Sequence, residues 1–281
     1  MLIDLNQKGI VADKIRNWIQ GYLGVPSLED YDIVFTNGAD AAIHAITHSI
    51  LVGKNIDCFD LNYSYASRML AEIDSHISLH ETNWNHETGV RTHNNSSLTS
   101  EVTYITNPDN RLGTVFESIP GTERGDRIVV IDESYRDFGN DTLNVKLDGR
   151  TLYIRTFSKF FCLEDQRIAY ILGPTHLIQQ VRRMIPQYAI ATPSIKELEK
   201  VLNVSSQEFI TKKKTEISLW KNWLYTLLDT NMLSYAYSHT DFVTLLNATP
   251  EEVAKLMLND VEIKTFTLGN NSCTRLRHAT H

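Results

Sequence analysis

The chain has 281 residues, a formal net charge of −7 and a pI near 5.8, an acidic balance that argues against a nucleic-acid partner. It shows no apolar signal region at its start and no apolar run that would span a membrane. Its three cysteines lack the spacing of a metal site or a disulfide framework, so we expect a cytoplasmic enzyme with one large domain and a smaller appendage.

The first elements along the chain predict a helix, a strand and a second helix. Residues 11–23 carry apolar side chains at helical spacing, and Gly24-Val25-Pro26 ends this helix. Residues 32–35 are typical of a short strand, and Gly38-Ala39-Asp40 then opens a helix through Ile50. Because unpaired amides and the helix dipole favour negative charge at such a helix start, the turn predicts an anion site.

The middle of the chain predicts three further strands, at 56–60, 102–106 and 127–132. The second leads into a polar turn at 107–113, and the third ends in Asp132. Its apolar run is typical of a central parallel strand, with the carboxylate at the carboxyl end. Ligands of open α/β sheets bind at that edge, so Asp132 is a candidate site residue.

The most informative segment is LYIRTFSKFFCLEDQRIAYILG, residues 152–173, in which Lys159 lies between two apolar strands. An ε-amine removed from bulk water becomes a nucleophile, the usual arrangement for a lysine that bonds to a carbonyl carbon. Arg167, Ser158 and Thr156 supply one cation and two hydroxyls, the donors that a phosphate needs. A reactive lysine beside a phosphate site predicts pyridoxal phosphate.

After Gly173 the pattern changes to long amphipathic helices, predicted at 176–184 and 195–228. The run Lys212–Lys214 is interpreted as a solvated helix face. A strand at 242–246, a helix at 250–258 with Thr249 as N-cap, and strands at 261–266 and 275–277 complete the chain. This region predicts a second, smaller domain.

Four blocks in this order resemble those of fold type I pyridoxal-phosphate enzymes, closest to the histidinol-phosphate aminotransferases. They are TNGADAAI (36–43), TNPDNRLGT (106–114), VIDESYRDF (130–138) and the lysine segment. The resemblance extends over about residues 3–281. It implies an α/β fold with a mainly parallel sheet flanked by helices in a large cofactor domain, residues 1–174. A small α/β domain, residues 175–281, and a homodimer with shared sites are also implied.

The resemblance assigns roles around the cofactor ring. Lys159 would hold pyridoxal 5′-phosphate covalently and move the substrate's Cα proton. Asp132 would pair with the ring nitrogen and keep it protonated. Tyr135 and Asn110 fall where family members hydrogen-bond the phenolic oxygen. Tyr63 matches the aromatic residue that stacks on the ring, with Tyr65 as a rival.

The resemblance also assigns the two anion sites. The backbone amides of Ala39 and Asp40, with Thr156, Ser158 and Arg167, would hold the cofactor phosphate. Arg275 falls on the arginine that binds the substrate α-carboxylate in a bidentate manner, with Arg277 as the less favoured alternative.

The pattern departs from the family in four places. The chain is expected to be shortened at both ends, without an N-terminal segment whose tyrosine reaches the neighbouring subunit's cofactor phosphate and without a closing helix. In the polar turn, Arg111 and Leu112 replace Pro and Thr. In the lysine segment, Asp165 replaces a glycine, and we expect it to tolerate the left-handed conformation. With Glu164 it places negative charge near the expected phosphate site.

These features favour an aminotransferase for an amino acid or amino-phosphate donor and a 2-oxo acid acceptor. Two alternatives stay open: an amino-acid decarboxylase resembling the threonine-phosphate decarboxylases, and a degenerate member that binds without turnover. The retained Lys159, Asp132, Tyr135, Asn110 and Arg167 argue against the degenerate member. The sequence leaves the substrate and the choice between transamination and decarboxylation open.

Overall fold

The structure, a computed structural model, describes residues 2–25, 27–93, 97–123, 125–139, 147–256, 261–268 and 271–278. The helices are α1 Ile10–Leu23, α2 Gly38–Ile46, α3 Ser64–Ala71, α4 Thr175–Arg182, α5 Thr192–Val204, α6 Gln207–Thr230 and α7 Pro250–Lys255. The strands from the N-terminus are β1 Tyr31–Asn37, β2 Asn55–Phe59, β3 His76–His80, β4 Asn83–Trp84, β5 Val90–Thr92, β6 Val102–Thr106 and β7 Val115–Phe116. They continue with β8 Ile128–Asp132, β9 Thr151–Thr156, β10 Ile168–Pro174, β11 Tyr235–Ala236, β12 Phe242–Leu246, β13 Val261–Leu268 and β14 Asn271–His278.

The centre of the molecule is a seven-stranded sheet with the order β1-β10-β9-β8-β6-β2-β3. The four pairings from β9 to β3 are parallel, whereas β10 runs antiparallel to both β1 and β9. The predicted mainly parallel sheet flanked by helices is therefore confirmed. Because the parallel strands share a direction, the ends of β6, β8 and β9 meet at one edge.

Both faces of this sheet are buried, which explains the near-continuous apolar strands. In β8, Val129 and Ile131 face the cluster that contains α1, α5 and the first half of α6, whereas Val130 faces α2, α3 and α4. This alternation follows from the two-residue period of a strand. Helices thus cover the sheet on both sides and leave its edge at Asp132 for a site.

The second half of α6 packs on a separate antiparallel sheet with the order β11-β12-β14-β13. Since the first half of α6 packs on the central sheet, this one helix joins the two sheets. Helix α4 also packs on the central sheet, against β1 and β10. The division into domains at residue 174 stays a prediction. Within the described ranges, no helix combines the length and the apolar character needed to cross a bilayer.

The element boundaries agree closely with the sequence predictions in most places. Helix α1 ends at Gly24, whose left-handed φ of 65° lets its amide donate to the Gln20 and Gly21 carbonyls. The second predicted helix continues beyond α2 as a π-helical turn, Thr47–Leu51. The capping box of Thr249 and Glu252 confirms the predicted N-cap of α7. The predicted positions Pro26, Met257 and Leu258 lie outside the described residues.

The prediction of a single helix at 195–228 is wrong, because the structure has two helices there. It is broken at Ser205, and the Ser206 hydroxyl accepts a hydrogen bond from the Phe209 amide to start α6. Serine competes with the helix for such local hydrogen bonds, which makes the Ser-Ser pair a stop and a new start. The sequence signal was present but was outweighed by the apolar periodicity on either side.

Candidate active site

A cavity of about 700 Å³ opens at the carboxyl edge of the central sheet and extends to β13 and β14. Every site residue predicted from the sequence lines it: Ala39, Asp40, Tyr63, Asn110, Asp132, Tyr135, Thr156, Ser158, Lys159, Arg167 and Arg275. The remaining lining residues are Ser64, Thr106, Arg111, Ser134, Glu164, Lys264, Phe266 and Thr267. The predicted positions, far apart in the chain, thus share one cavity.

One end of the cavity is the amino terminus of α2. Its opening residue, Gly38, has a φ of +80°, and a Cβ there would lie 2.5 Å from the Arg167 guanidinium. The glycine therefore lets Arg167 approach the first amides of α2, which have no partner within the helix. Arg167 Nη2 lies 3.5 Å from Asp40 Oδ2. This arrangement brings one cation and a helix start together, as an anion site requires.

Two buried hydroxyls adjoin this end of the cavity. Thr156 is the last residue of β9, and its Oγ1 lies 2.9 Å from the Ser158 Oγ. The Ser158 amide donates to the same threonine oxygen at 3.0 Å. These contacts fix the direction of the chain just before Lys159, so that both hydroxyls and the lysine line the cavity.

Asp132 ends β8 and is only 2% exposed. The amide and hydroxyl of Ser134 donate to its Oδ1 at 3.0 and 2.6 Å. Burial raises the pKa of Asp132 to about 6 in spite of these two hydrogen bonds, which lower it. A buried carboxylate of this kind would be stabilised by a cationic N–H donor in the cavity.

Tyr135 and Asn110 line the same cavity as Asp132. The Tyr135 ring packs edge-on against Phe242 at 5.5 Å between centroids, and burial raises its pKa. Asn110 Oδ1 is buried and has no hydrogen-bond partner among the described residues. Its backbone carbonyl accepts from Arg275 Nη1 at 2.9 Å. An orphaned amide oxygen indicates a missing polar partner.

The turn that carries Asn110 keeps its shape by a local device. The Asp109 carboxylate accepts from the amides of Arg111 and Leu112 at 2.8 and 2.7 Å. It also accepts from the amide of Thr114 at 2.7 Å. These bonds hold the turn at the two positions where the family has Pro and Thr. The Asn107-Pro108 peptide bond is cis.

Lys159 follows β9, and its side chain is 28% exposed. Its Nζ lies 2.6 Å from Glu164 Oε1 and 5.8 Å from the centroid of the Tyr135 ring. Partial burial would raise the pKa of Glu164, but its contacts with Lys159 and Arg277 lower it. The lysine amine, a buried acid and an anion site together could bind and activate a phosphorylated carbonyl compound.

Asp165 does not adopt the left-handed conformation that it was expected to tolerate. Among the described residues of this turn, Cys162 with φ 55° and Arg167 with φ 52° adopt that conformation. For a residue with a Cβ this costs of the order of 1 kcal/mol. Strand β10 begins at the next residue and holds Arg167 in this left-handed conformation. The turn is therefore fixed by the tertiary structure and not by the conformational preference of the residue.

The two residue pairs that the sequence left open differ clearly in position. Tyr63 lines the cavity, whereas the Tyr65 ring packs against Tyr63 at 6.3 Å and under Arg68 at 5.0 Å. Arg275 lines the cavity and lies over the Phe242 ring at 4.8 Å.

Arg277, in contrast, is bound by acids. Its Nε donates to Asp241 Oδ2 at 2.6 Å, and its Nη1 lies 3.4 Å from Glu164. Of the two arginines, Arg275 lies beside the cavity and contacts the Asn110 carbonyl and the Phe242 ring, with no carboxylate partner among the described residues.

Two features of the site were missed in the sequence. Strand β13 contributes Lys264, Phe266 and Thr267 to the cavity wall, and no motif marks them. The lysine run on α6 is not simply a solvated face, since Lys213 Nζ donates to the Phe160 carbonyl at 2.5 Å and Lys214 Nζ to the Gly139 carbonyl at 2.7 Å. Helix α6 thereby braces the segment after Lys159. Only tertiary structure could reveal either contact.

Comparison with known proteins gives a family match over most of the chain. The model of the family described as aminotransferase class I and II matches residues 8–281. Curated relatives carry the name histidinol-phosphate aminotransferase. The protein from Nitrobacter hamburgensis is 27% identical over 157 residues, which are 52% of this chain and 42% of the relative. The protein from Buchnera aphidicola subsp. Cinara cedri is 22% identical over 282 residues, covering 91% of this chain and 76% of the relative.

Most of these sequence matches are partial. In seven of the curated relatives the match spans only 27–42% of the relative's length. Solved structures are similar over more of the chain. A histidinol-phosphate aminotransferase from Sinorhizobium meliloti, solved in complex with pyridoxal-5′-phosphate, has a TM-score of 0.74 at 15% identity and covers 100% of this chain and 79% of its own. At this identity the likeness establishes the fold.

Proposed function

The chain belongs to the class I and II aminotransferase family, and from that premise we propose that it is a pyridoxal-phosphate-dependent aminotransferase similar to the histidinol-phosphate aminotransferases. Its substrates are proposed to be an amino acid or amino-phosphate donor and a 2-oxo acid acceptor. The observation that carries this proposal is the meeting of Lys159, Asp132 and Arg167 in one cavity. These three residues supply the nucleophile, the acid and the phosphate cation that pyridoxal phosphate needs.

The residues around the proposed ring position fit the cofactor. Asp132 has a pKa raised by burial to about 6, and a protonated ring nitrogen would give it the cationic partner it lacks in its bonds to Ser134. Asn110 is proposed to donate through its side-chain nitrogen to the phenolic oxygen, beside the hydroxyl of Tyr135. Tyr63 is proposed to stack on the ring.

The residues at the α2 end fit the phosphate. The amides of Ala39 and Asp40 belong to the first turn of a helix, where anions are stabilised. Arg167, Ser158 and Thr156 add a cation and two hydroxyls. The space above Gly38 that a Cβ would fill is what allows Arg167 to reach this point. We propose that these groups hold the cofactor phosphate.

The cofactor, when bound, supplies an electron sink for the bond broken at the substrate Cα. Lys159 is proposed to hold it and, once released, to take the proton from that Cα through Nζ. Arg275 is proposed to bind the substrate α-carboxylate in a bidentate manner and so fix the Cα near Lys159. Burial at the strand ends excludes water from the Asp132 side of the cavity.

We further propose a cytoplasmic homodimer with a large domain at 1–174 and a small domain at 175–281. The buried thiols of Cys58 and Cys273 fit a reducing compartment. The dimer rests on the family resemblance, in which two subunits build each site. Light scattering at micromolar concentration tests it, and a monomer alone would contradict it.

A visible spectrum of the purified protein after addition of pyridoxal phosphate tests the central proposal. A new absorbance band that survives gel filtration would support it. Borohydride reduction should then leave the cofactor permanently attached to the peptide that contains Lys159. Amino donors from a panel that includes amino-phosphates should then bleach or shift the band, and a 2-oxo acid should restore it. A protein that remains colourless at saturating cofactor would contradict the proposal.

A further inference from the structure

Glu164 is the cavity acid that contacts Lys159. Its carboxylate oxygen Oε1 lies 2.6 Å from Lys159 Nζ and 3.4 Å from Arg277 Nη1. Its backbone carbonyl accepts a hydrogen bond from Arg167 Nη1 at 3.3 Å. Glu164 therefore touches the proposed nucleophile, the proposed phosphate cation and β14 of the second sheet. Such a multiply held carboxylate is less free to leave Lys159 than a surface acid.

The charge around this contact favours a persistent ion pair. The ionisable groups around this contact include Arg167 before β10, Tyr135 after β8, Asp241 before β12, and Glu262, Arg275 and Arg277 on β13 and β14. Asp241 and Glu262 both contact Arg277, at 2.6 and 3.7 Å, and so hold that arginine where it meets Glu164. The contacts with Lys159 and Arg277 lower the pKa of Glu164, in spite of its partial burial, and keep it charged at neutral pH.

We propose that Glu164 is a positioning residue that holds the Lys159 ammonium as a counter-ion and thereby slows bonding of Nζ to the cofactor aldehyde. This inference rests on the proposed function and adds a built-in control of cofactor loading to it. The acid acts through Lys159 and does not itself meet the reacting carbon.

The chemical step explains why the ion pair matters. When the Lys159 ammonium bonds to an aldehyde carbon, two of its three protons leave with the aldehyde oxygen as water, and the third remains on Nζ. The nitrogen lone pair becomes available only after a proton has left. The Glu164 carboxylate accepts a hydrogen bond from Nζ at 2.6 Å, so the nitrogen has to break this contact before it can turn toward the aldehyde carbon. Replacing Glu164 with a neutral amide of the same size should therefore make Lys159 more reactive.

The experiment compares wild type, Glu164→Gln and Glu164→Asp at neutral pH in cofactor-free protein. A small acylating reagent is used, and peptide mass spectrometry reports the rate at Lys159. We expect Glu164→Gln to raise this rate about tenfold, after allowing for solvent screening of a half-exposed carboxylate. Glu164→Asp, which keeps the charge, should restore a rate close to wild type. The rate of covalent uptake of pyridoxal phosphate should rise in parallel.

Asp165→Asn is the matched control. It removes the same charge at the neighbouring residue, whose carboxylate accepts a hydrogen bond from Gln166. It should leave the Lys159 rate unchanged, and acylation of Lys213 and Lys264 serves as an internal standard for general loosening. Equal Lys159 rates in wild type and Glu164→Gln would overturn the inference. A rate difference in acylation without any uptake of pyridoxal phosphate would instead overturn the proposed function and leave the counter-ion role standing.

Discussion

The two walls of the cavity differ in burial and in hydrogen bonding. The wall formed by the central sheet ends in Asp132 and Thr156, which are buried and held by hydrogen bonds to neighbouring residues. The wall formed by β13 presents Lys264, Phe266 and Thr267 from a strand whose residues are mostly exposed. Strand β13 also lies at the edge of its sheet and pairs only with β14 among the described strands.

This difference in burial suits the two walls to different roles, cofactor binding and substrate choice. A buried, hydrogen-bonded wall has little freedom and suits a group that stays the same in every reaction cycle, as a cofactor does. An exposed edge strand can accept substitutions at little cost in folding free energy, because few of its side chains are packed. We infer that the sheet wall fixes the cofactor and that the β13 wall adjusts the choice of substrate.

The largest expected effect comes from replacing one lysine of the cavity, Lys159 or Lys264, with alanine and comparing the two variants. Lys159→Ala should abolish covalent uptake of pyridoxal phosphate and lower turnover by about 10²–10⁴-fold, the usual contribution of a proton-transferring group. Lys264→Ala, its matched control on β13, should keep the absorbance band. Visible spectra and amino-transfer assays of both variants measure this. If Lys264→Ala lost the band and Lys159→Ala kept it, the assignment of the walls would be reversed.

The next effect separates binding from chemistry on the sheet wall. Asp132→Asn should keep the band but lower turnover by roughly 10²-fold, the order expected when one electrostatic group is removed from a site. The physical reason is that an unprotonated ring nitrogen withdraws electrons poorly. Ser134→Ala, which removes only a hydrogen bond to Asp132, should have a smaller effect on kcat. Full turnover in Asp132→Asn would contradict the role.

The substrate side of the cavity is tested by its two arginines. Arg275→Lys should raise KM for the amino donor roughly 10- to 100-fold, since the lysine loses bidentate hydrogen bonding to a carboxylate. Arg277→Lys should act mainly on the melting temperature, because Arg277 pairs with the buried Asp241. Steady-state kinetics and thermal unfolding of both variants give the comparison. A larger KM effect at Arg277 would exchange their roles.

Burial of Asp132 also predicts a pH dependence of stability in the cofactor-free protein. Since its folded pKa of about 6 lies above the ordinary value of 3.8, the folded state binds a proton in that interval that the unfolded chain has released. The free energy of unfolding should therefore fall as the pH rises from 3.8 to about 6. This contribution amounts to about 2–3 kcal/mol.

Denaturant titrations across this pH interval would measure the effect. The difference between wild type and Asp132→Asn isolates it from the other carboxyl groups. If the free energy of unfolding changed with pH in the same way in wild type and Asp132→Asn, the raised pKa of Asp132 would be contradicted.

The smallest effect is expected on the exposed wall. Phe266→Ala should change the ratio of kcat/KM between large and small amino donors by about tenfold or less, the amount that one apolar contact contributes to discrimination. The absorbance band and the melting temperature should stay close to wild type, because Phe266 is only partly buried. A loss of the band would show that β13 takes part in binding the cofactor.

The sheet wall could be predicted from the sequence because local rules and tertiary structure agree there. Apolar runs that end in Asp132 or Thr106 are typical of parallel strands, and their ends meet at one edge for a geometric reason. Lys159 was recognisable from its two flanking strands. The order of the blocks in the chain then brought the family resemblance, which supplied the roles.

The β13 wall and the contacts of Glu164 could not be predicted in the same way. Strand β13 has alternating polar and apolar residues that predict a strand but not what it faces. The pairing of Glu164 with Arg277 joins the turn between β9 and β10 to strand β14 of the other sheet, and it depends on how these two parts are placed. The left-handed conformation of Arg167 likewise follows from the start of β10 and not from its residue type.

The antiparallel strand β10 has a consequence for how the chain is made. Strand β1 pairs only with β10 among the described strands, with residue 37 opposite residue 168. At ribosomal rates of about 5–20 residues per second, β1 leaves the ribosome on the order of ten seconds before its partner strand exists. During that interval its edge is unpaired, and α2 has no Arg167 beside it. The anion site can therefore form only after residue 168 of the 281 has been made, and a chaperone would meet β1 before any ligand could.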